Sequence, residues 1–174
     1  MKALFIGGIK SGKSINAEKF TLKHSDKKPI YLATTEFFDD EMSEKVKRHK
    51  IQRSGKFETI EEPLELAARL QIEFGVTNLS TSSKPLVLVE CVSMWINNML
   101  YHKRSETEII EQLETISNLN AEIVWVINDV SCSVVSDNKL VRKFVDINGR
   151  ISQLLASKCE EVYNTTAGIS VKIK

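Results

Sequence analysis

The first eight-residue motif has the residue types and spacing of a phosphate-binding loop. The pattern GxxxxGK[ST] is satisfied by Gly7-Gly8-Ile9-Lys10-Ser11-Gly12-Lys13-Ser14, directly after the apolar run Ala3–Ile6 and before a helical stretch. In this context glycines let backbone N–H groups turn toward a phosphate, and Lys13 can reach β and γ oxygens. The alternative is a glycine turn that only joins strand to helix. Because lysine and serine both occupy their motif positions, we interpret the loop as binding a nucleoside triphosphate.

A carboxylate is the second candidate for chemistry. Glu90 follows the apolar run Leu86–Val89, so the sequence predicts it at the end of a strand. Phosphoryl transfer requires such an acid near the metal, and with the Ser14 hydroxyl it would form the site for Mg²⁺. An ordinary acid at a strand end remains the alternative, since such acids are frequent.

Strands and helices alternate along the chain, and these elements must position the two candidates. Apolar runs rich in β-forming residues predict strands at Ala3–Ile6, Ile30–Ala33, Leu86–Val89, Ile123–Ile127 and Ser170–Ile173, with a weaker one at Glu161–Asn164. One-sided apolar spacing predicts helices through Leu140, Phe144, Ile147, Ile151 and Leu154 and through Ile109, Leu113 and Ile116, and Pro63 suits a first helical turn. We therefore predict a single α/β domain over residues 1–174, similar to P-loop NTPases. It has three layers, a mostly parallel central sheet, and ligands at the carboxyl ends of the strands.

Charge and composition limit the classes of partner. The net charge is +1, so no global field favours wrapping nucleic acid or lying on an anionic membrane. The three cysteines are widely spaced and fit neither a disulfide framework nor a zinc site. No apolar run approaches the roughly 20 residues that span a bilayer. We expect a cytoplasmic protein without membrane insertion.

Further motifs carry a resemblance to a known family. They are Tyr31-Leu32-Ala33-Thr34-Thr35, Asp39-Asp40-Glu41-Met42, His49 with Arg53 four residues later, and Glu61-Glu62-Pro63. Matching positions continue at Glu90-Cys91, Asn98, Asn128, Leu140, Arg142, Phe144, Asp146, Gly149 and Gly168–Lys174. With the phosphate loop, this order resembles the bifunctional adenosylcobinamide kinase/adenosylcobinamide-phosphate guanylyltransferase family of cobalamin assembly. The resemblance covers nearly the whole chain, and the segment from Tyr31 to Arg53 makes it specific.

The resemblance implies two steps of nucleotide chemistry. A nucleoside triphosphate, GTP or ATP, first phosphorylates the aminopropanol hydroxyl of adenosylcobinamide, and GTP then donates GMP to adenosylcobinamide phosphate. In the family a histidine carries GMP as a phosphoramidate, and His49 fills that motif position. Imidazole has an unperturbed pKa of about 6.5, so near neutral pH much of it is an unprotonated nucleophile. The residue alone also allows a structural role. Met42, Val46 and His49 share a face of the predicted helical stretch from Asp39 to Lys50, so His49 could lie at the border of an apolar stripe.

The same resemblance implies the contacts of the guanine nucleotide. They would come from Ala33, Thr34, Thr35, Lys50, Ile51, Gln52, Arg53 and Glu61. Glu61 could accept from guanine N–H groups or from ribose hydroxyls, and the sequence leaves both open. Asp39, Asp40 and Glu41 could equally favour a helix N-terminus. His24 and His102 match no motif position. The family also implies a homo-oligomer, a trimer.

One loop departs from the family pattern. Where the family usually continues after Asn128 with Glu-Val-Gly, a further glycine and a proline, this chain has no glycine or proline over residues 129–136. Lys45 replaces a favoured arginine and Ser152 a favoured asparagine. Two other functions therefore stay open: a P-loop small-molecule kinase or nucleotidyltransferase with a changed acceptor, and a non-catalytic nucleotide-binding module.

Overall fold

A parallel sheet forms the centre of the molecule. The computed structural model describes residues 2–36, 55–75, 84–131 and 134–174. Within these ranges the strands are β1 (Ala3–Gly7), β2 (Ile30–Ala33), β3 (Glu58–Glu61), β4 (Leu86–Glu90), β5 (Glu122–Asn128), β6 (Glu161–Thr166) and β7 (Ile169–Lys172). The helices are α1 (Lys13–His24), α2 (Leu66–Gly75), α3 (Val92–Tyr101), α4 (Glu106–Ser117) and α5 (Lys139–Lys158).

The strand order is β3-β2-β4-β5-β1-β6-β7. All neighbouring pairs are parallel except β6 and β7, which are antiparallel. β1, which leads into the phosphate loop, and β4, which ends at Glu90, are thus separated by β5 alone. The carboxyl ends of these three strands meet at one edge of the sheet, as the sequence predicted.

Alternate residues of the central strands pack into two separate cores, one on each face of the sheet. Leu4, Val87 and Trp125 belong to one core, whereas Phe5 and Leu88 belong to the other. Both faces are covered because side chains alternate along a strand and nearly all positions of β1, β4 and β5 are apolar. The predicted three-layer α/β architecture is confirmed.

One of the predicted helix positions is wrong. Helix α2 begins at Leu66, so Pro63 precedes the helix instead of occupying its first turn. Leu140 lies in α5 as predicted, but its side chain is 67% exposed, because the first turns of α5 extend beyond the core that buries Ile147 and Ile151. The burial of Ile109, Leu113 and Ile116 in α4 is confirmed.

The edge strand β3 was not predicted from the sequence. It consists of Glu58-Thr59-Ile60-Glu61, of which Ile60 alone is buried. Such a short polar strand has no apolar signal, and its pairing with β2 provides the missing evidence. No helix in the described ranges is long and apolar enough to cross a bilayer.

Candidate active site

The phosphate loop joins the buried strand β1 to the N-terminus of α1. Gly12 caps the helix with a φ of 93°, and Lys10 also has a positive φ, 59°. The Ser11 amide donates to the Gly8 carbonyl at 3.2 Å, which closes the loop. The backbone therefore bends where the predicted phosphate cradle requires it, and the positive N-terminal end of α1 lies within the loop.

Gly12 is required for two independent physical reasons. An L-residue is strained at its positive φ, and a Cβ at this position would lie 2.9 Å from the Gly168 Cα. Gly168 belongs to the turn between β6 and β7, whose amide donates to the Ser11 carbonyl at 2.7 Å. Asn16 strengthens this contact by donating to the Gly168 carbonyl at 2.9 Å. The β6–β7 turn thus supports the phosphate loop from one side.

Gly12→Ala is expected to lower the free energy of unfolding by about 2 kcal/mol or more, because about 1–2 kcal/mol of backbone strain adds to the close contact with Gly168. The nucleotide affinity should fall with it. Denaturant unfolding and calorimetric GTP titration would measure the two effects. The control is Gly149→Ala in α5, where a Cβ meets no atom within 4 Å. It should gain about 0.5–1 kcal/mol in unfolding free energy. A loss no larger than that of a neutral surface substitution would contradict the steric argument.

The amine of Lys13 lies inside the loop. Its residue is only 6% exposed, and Nζ donates to the Gly8 carbonyl at 3.2 Å. This contact keeps the ammonium within the loop, where the sequence predicts that it reaches phosphate oxygens.

Ser14 and Glu90 meet across the sheet edge. The Ser14 hydroxyl donates to Glu90 Oε1 at 2.7 Å, although the residues are 76 positions apart in the sequence. A hydroxyl and a carboxylate are hard oxygen ligands, so the pair fits Mg²⁺. Among the described residues no group of three or more His, Cys, Asp or Glu is placed to hold a metal. This donor set suits Mg²⁺ held partly by substrate phosphates and water.

The backbone on either side of Glu90 is fixed by Thr34. The Thr34 amide donates to the Glu90 carbonyl at 3.0 Å, and its hydroxyl bonds both the amide and the carbonyl of Cys91, each at 2.9 Å. The Thr34 carbonyl accepts from Asn98 Nδ2 at 2.7 Å. Thr34 is fully buried, whereas its neighbours Ala33 and Thr35 are partly exposed. Thr34 therefore orients the end of β4, and Ala33 and Thr35 offer the accessible surface of this segment.

The thiol of Cys91 lies next to Glu90 and has a raised pKa. Burial, aided by the Glu90 carboxylate, raises the pKa of its thiol to about 12. The sulfur accepts from the Met94 amide at 3.3 Å and so caps α3. Its role is to begin the helix that follows Glu90.

The strand register brings three predicted site residues to one edge. Ala33 of β2 is paired with Glu61 of β3 on one side and with Glu90 of β4 on the other. Ile9 of the phosphate loop is 80% exposed and faces solvent. His49, with Lys50, Ile51, Gln52 and Arg53, lies outside the described residues, as do Lys45 and the acids at 39–41. Their positions stay predictions.

Sequence reasoning gave no role to several polar residues around this edge. Asn98 matched the family, but only the structure shows that its amide bonds the carbonyls of Thr34 and Pro63. His102 matches no motif position, and its Nε2 lies 3.0 Å from a carboxylate oxygen of Glu36, just after β2. These contacts join residues far apart in the chain, so no local pattern signals them.

The parallel sheet, the phosphate loop and the acid at the end of β4 define a P-loop nucleotide-binding protein. Its fold is similar to that of the KaiC-like protein PH0186 from Pyrococcus horikoshii OT3. The TM-score is 0.51 at 13% identity, with 94% of this chain and 69% of that one covered. This likeness concerns the fold alone.

Comparison of sequences narrows the class to one family. Residues 3–173 match the family model described as cobinamide kinase / cobinamide phosphate guanyltransferase. The chain is 33% identical to the bifunctional adenosylcobalamin biosynthesis protein CobP of Pseudomonas aeruginosa, covering 100% of this chain and 98% of that protein. It is 30% identical to the bifunctional adenosylcobalamin biosynthesis protein CobU of Escherichia coli, with both chains fully covered. The chain belongs to the cobinamide kinase / cobinamide phosphate guanyltransferase family, a family of enzymes, and the resemblance seen in the sequence is confirmed.

Proposed function

We propose that this chain phosphorylates adenosylcobinamide with a nucleoside triphosphate and then transfers GMP from GTP, through a guanylyl-histidine, to form adenosyl-GDP-cobinamide. The observation that carries the proposal is the Ser14–Glu90 contact of 2.7 Å beside the buried Lys13, in a chain that matches this family over residues 3–173. These contacts support the proposal, because they bring a glycine-rich loop, a cation and a pair of hard oxygen ligands close together.

In the kinase step, the loop from Gly7 to Ser14 would hold the nucleotide. Its backbone N–H groups and the N-terminus of α1 bind the phosphates, while Lys13 neutralises charge on the β and γ oxygens. Ser14 and Glu90 would hold Mg²⁺, which supplies charge neutralisation at the phosphates when bound. The corrinoid hydroxyl displaces the nucleoside diphosphate from the γ-phosphorus, and its proton passes to solvent or to a base at the site.

In the guanylyl step, His49 would act as the nucleophile. An imidazole nitrogen forms a bond to the α-phosphorus of GTP, and the bond to the bridging oxygen breaks to release pyrophosphate. A phosphate oxygen of adenosylcobinamide phosphate then attacks the same phosphorus and frees the histidine. Guanine nucleotide contacts would come from Ala33, Thr35 and Glu61, with the placement of Ala33 set by Thr34, and from residues 50–53.

The proposed activity can be tested directly. Incubation with adenosylcobinamide, GTP and Mg²⁺ is expected to yield two corrinoid products, one heavier by a phosphoryl group and one by a phosphoryl and a guanylyl group, which mass spectrometry would detect. GTP turnover only with another hydroxyl compound would favour the alternative of a changed acceptor. The loop after Asn128 supports that alternative. It lacks the glycines of the family pattern, and its Val134 and Val135 side chains are largely exposed. Absence of any turnover would contradict both.

Glu90→Gln is expected to reduce the kinase rate by about a hundredfold or more, because the loss of one carboxylate charge weakens metal binding and transition-state stabilisation. The Mg²⁺ concentration for half-maximal activity should rise, which a metal titration of the rate would show. Glu122→Gln is the control, since this acid lies at the amino end of β5, whereas Glu90 lies at the carboxyl end of β4. Equal dependence of the rate on Mg²⁺ in the two variants would show that Glu90 is not a metal ligand.

The proposal extends to the state of the protein in the cell. We propose that residues 1–174 act as one domain in a cytoplasmic homo-oligomer, a trimer. The assignment to the cytoplasm is supported by Cys91 and Cys159, which are both free thiols. Sedimentation analysis would give the number of subunits.

A further inference from the structure

Next to Glu90, the carboxyl end of β5 is paired with β1 on one side but is not paired with β4 on the other. Pairing between β4 and β5 extends from Leu86–Glu122 to Val89–Trp125, while β5 continues alongside β1 until Asn128 lies opposite Gly7. The carboxyl end of β5 therefore extends past its paired residues in β4. It separates the phosphate loop from Glu90, so its position sets the distance between them.

Two buried side chains supply the hydrogen bonds that a neighbouring strand would make to Asn128. The Ser93 hydroxyl accepts from the Asn128 amide at 2.9 Å and donates to Asn148 Oδ1 at 2.7 Å. Asn148 Nδ2 donates to the Asn128 carbonyl at 2.9 Å. Ser93 and Asn148 are only 3% and 2% exposed. This buried triangle, formed by Ser93, Asn148 and the Asn128 backbone, satisfies both backbone groups of Asn128.

The triangle connects the two halves of the proposed phosphate site. Ser93 lies three residues after Glu90, in the first turn of α3. On the other side, Asn128 is paired with Gly7, whose carbonyl accepts from the Asp129 amide at 2.9 Å. No residue on the path from Glu90 through Ser93 and Asn128 to Gly7 of the phosphate loop is exposed.

We propose that Ser93 and Asn148 are positioning residues that fix the spacing between the phosphate loop and Glu90, and so set the affinity of the Ser14–Glu90 pair for a divalent cation. The inference rests on the proposed function for the metal site at Ser14 and Glu90 and for its kinetic consequence. Neither residue is assigned a contact with substrate. An apolar replacement of either would leave the Asn128 amide or carbonyl buried without its partner, so the end of β5 would shift toward solvent or other donors.

The test compares Ser93→Ala and Asn148→Leu with the unaltered protein. Binding of Mn²⁺ in the presence of GDP, followed by electron paramagnetic resonance, should weaken by about 10-fold or more, as expected for partners behind a metal ligand. GDP affinity without metal should stay within about twofold, because the phosphate loop itself is intact. The kinase kcat should fall by about 10- to 100-fold with KM for the nucleotide little changed, since misplacement affects the transition state most. Hydrogen exchange of the Asn128 amide should accelerate.

Matched variants separate positioning from simple loss of stability. Thr21→Val removes another fully buried hydroxyl, which donates within α1 to the Ala17 carbonyl at 2.8 Å. It is expected to lower stability without changing Mn²⁺ affinity. The double variant should lose little more Mn²⁺ affinity than either single one, because both side chains hold the same residue. If Ser93→Ala does not fold, Ser93→Cys takes its place in the test. The cysteine side chain has a similar shape but a weaker hydrogen-bonding group.

Unchanged Mn²⁺ affinity in folded Ser93 and Asn148 variants would overturn the proposal, and so would a loss equal to that of Thr21→Val. Failure of the proposed function is distinguishable, because Mn²⁺ binding and amide exchange need no corrinoid. If wild-type protein does not phosphorylate adenosylcobinamide but the Mn²⁺ effect is found, the positioning role stands and the assigned acceptor is wrong.

Discussion

Lys13→Ala is expected to lower the kinase rate by about a thousandfold, to the background of the assay, while the protein stays folded. The Lys13 ammonium is buried in the phosphate loop and bonded to the Gly8 carbonyl at 3.2 Å. Its removal leaves the charge that develops on the β and γ oxygens without the nearest cation of the loop. The rate of nucleoside diphosphate formation with adenosylcobinamide as acceptor measures the effect.

A second lysine of the same helix provides the control. Lys19 is exposed on α1, and Lys19→Ala is expected to keep the wild-type rate. Circular dichroism and thermal unfolding would establish that both variants are folded. Near wild-type turnover in folded Lys13→Ala would show that the phosphate-loop assignment is wrong.

His49→Ala is expected to abolish guanylyl transfer and to keep much of the kinase activity. Phosphorylation of a hydroxyl can proceed by direct in-line transfer, whereas transfer through an enzyme intermediate needs a protein nucleophile. Wild-type protein should take up label from [α-³²P]GTP through an acid-labile, base-stable bond, as a phosphoramidate does. Label in the γ position should leave no such adduct, since the γ-phosphate departs with pyrophosphate.

The other histidines make this prediction specific. His24→Ala should retain full labelling, because this exposed residue packs against Phe20 at the far end of α1. Peptide mapping should place GMP on His49. Labelling that persists in His49→Ala, or a GMP found on His24 or His102, would exclude His49 as the nucleophile.

Local chemistry explains why much of the site could be predicted from the sequence. The GxxxxGK[ST] pattern is contiguous, and the apolar run before it is buried on both faces, so strand, loop and helix follow from one stretch of chain. The same holds for Glu90, whose strand is an uninterrupted apolar run. The alternation of such runs with one-sided helices was enough to predict the parallel sheet.

Tertiary structure decided the features whose partners are distant in the sequence. β3 has three polar residues out of four, and only pairing with β2 makes it a strand. Thr34 was predicted to contact a nucleotide, but the fold uses its polar groups to hold Glu90 and Cys91. No spacing rule reveals this, because Cys91 is 57 residues away from Thr34 in the sequence.

The sequence by itself determined which groups are present: a phosphate loop, a carboxylate at the end of a strand, and a family-specific histidine. The tertiary structure decided how two of these groups meet, since the order of the strands places β5 between β1 and β4. Ser93 and Asn148 close the gap that this order leaves, although 55 residues separate them. Hydrogen bonds between such distant residues form only after the sheet has brought their strands and helices together, so they cannot be predicted from local patterns.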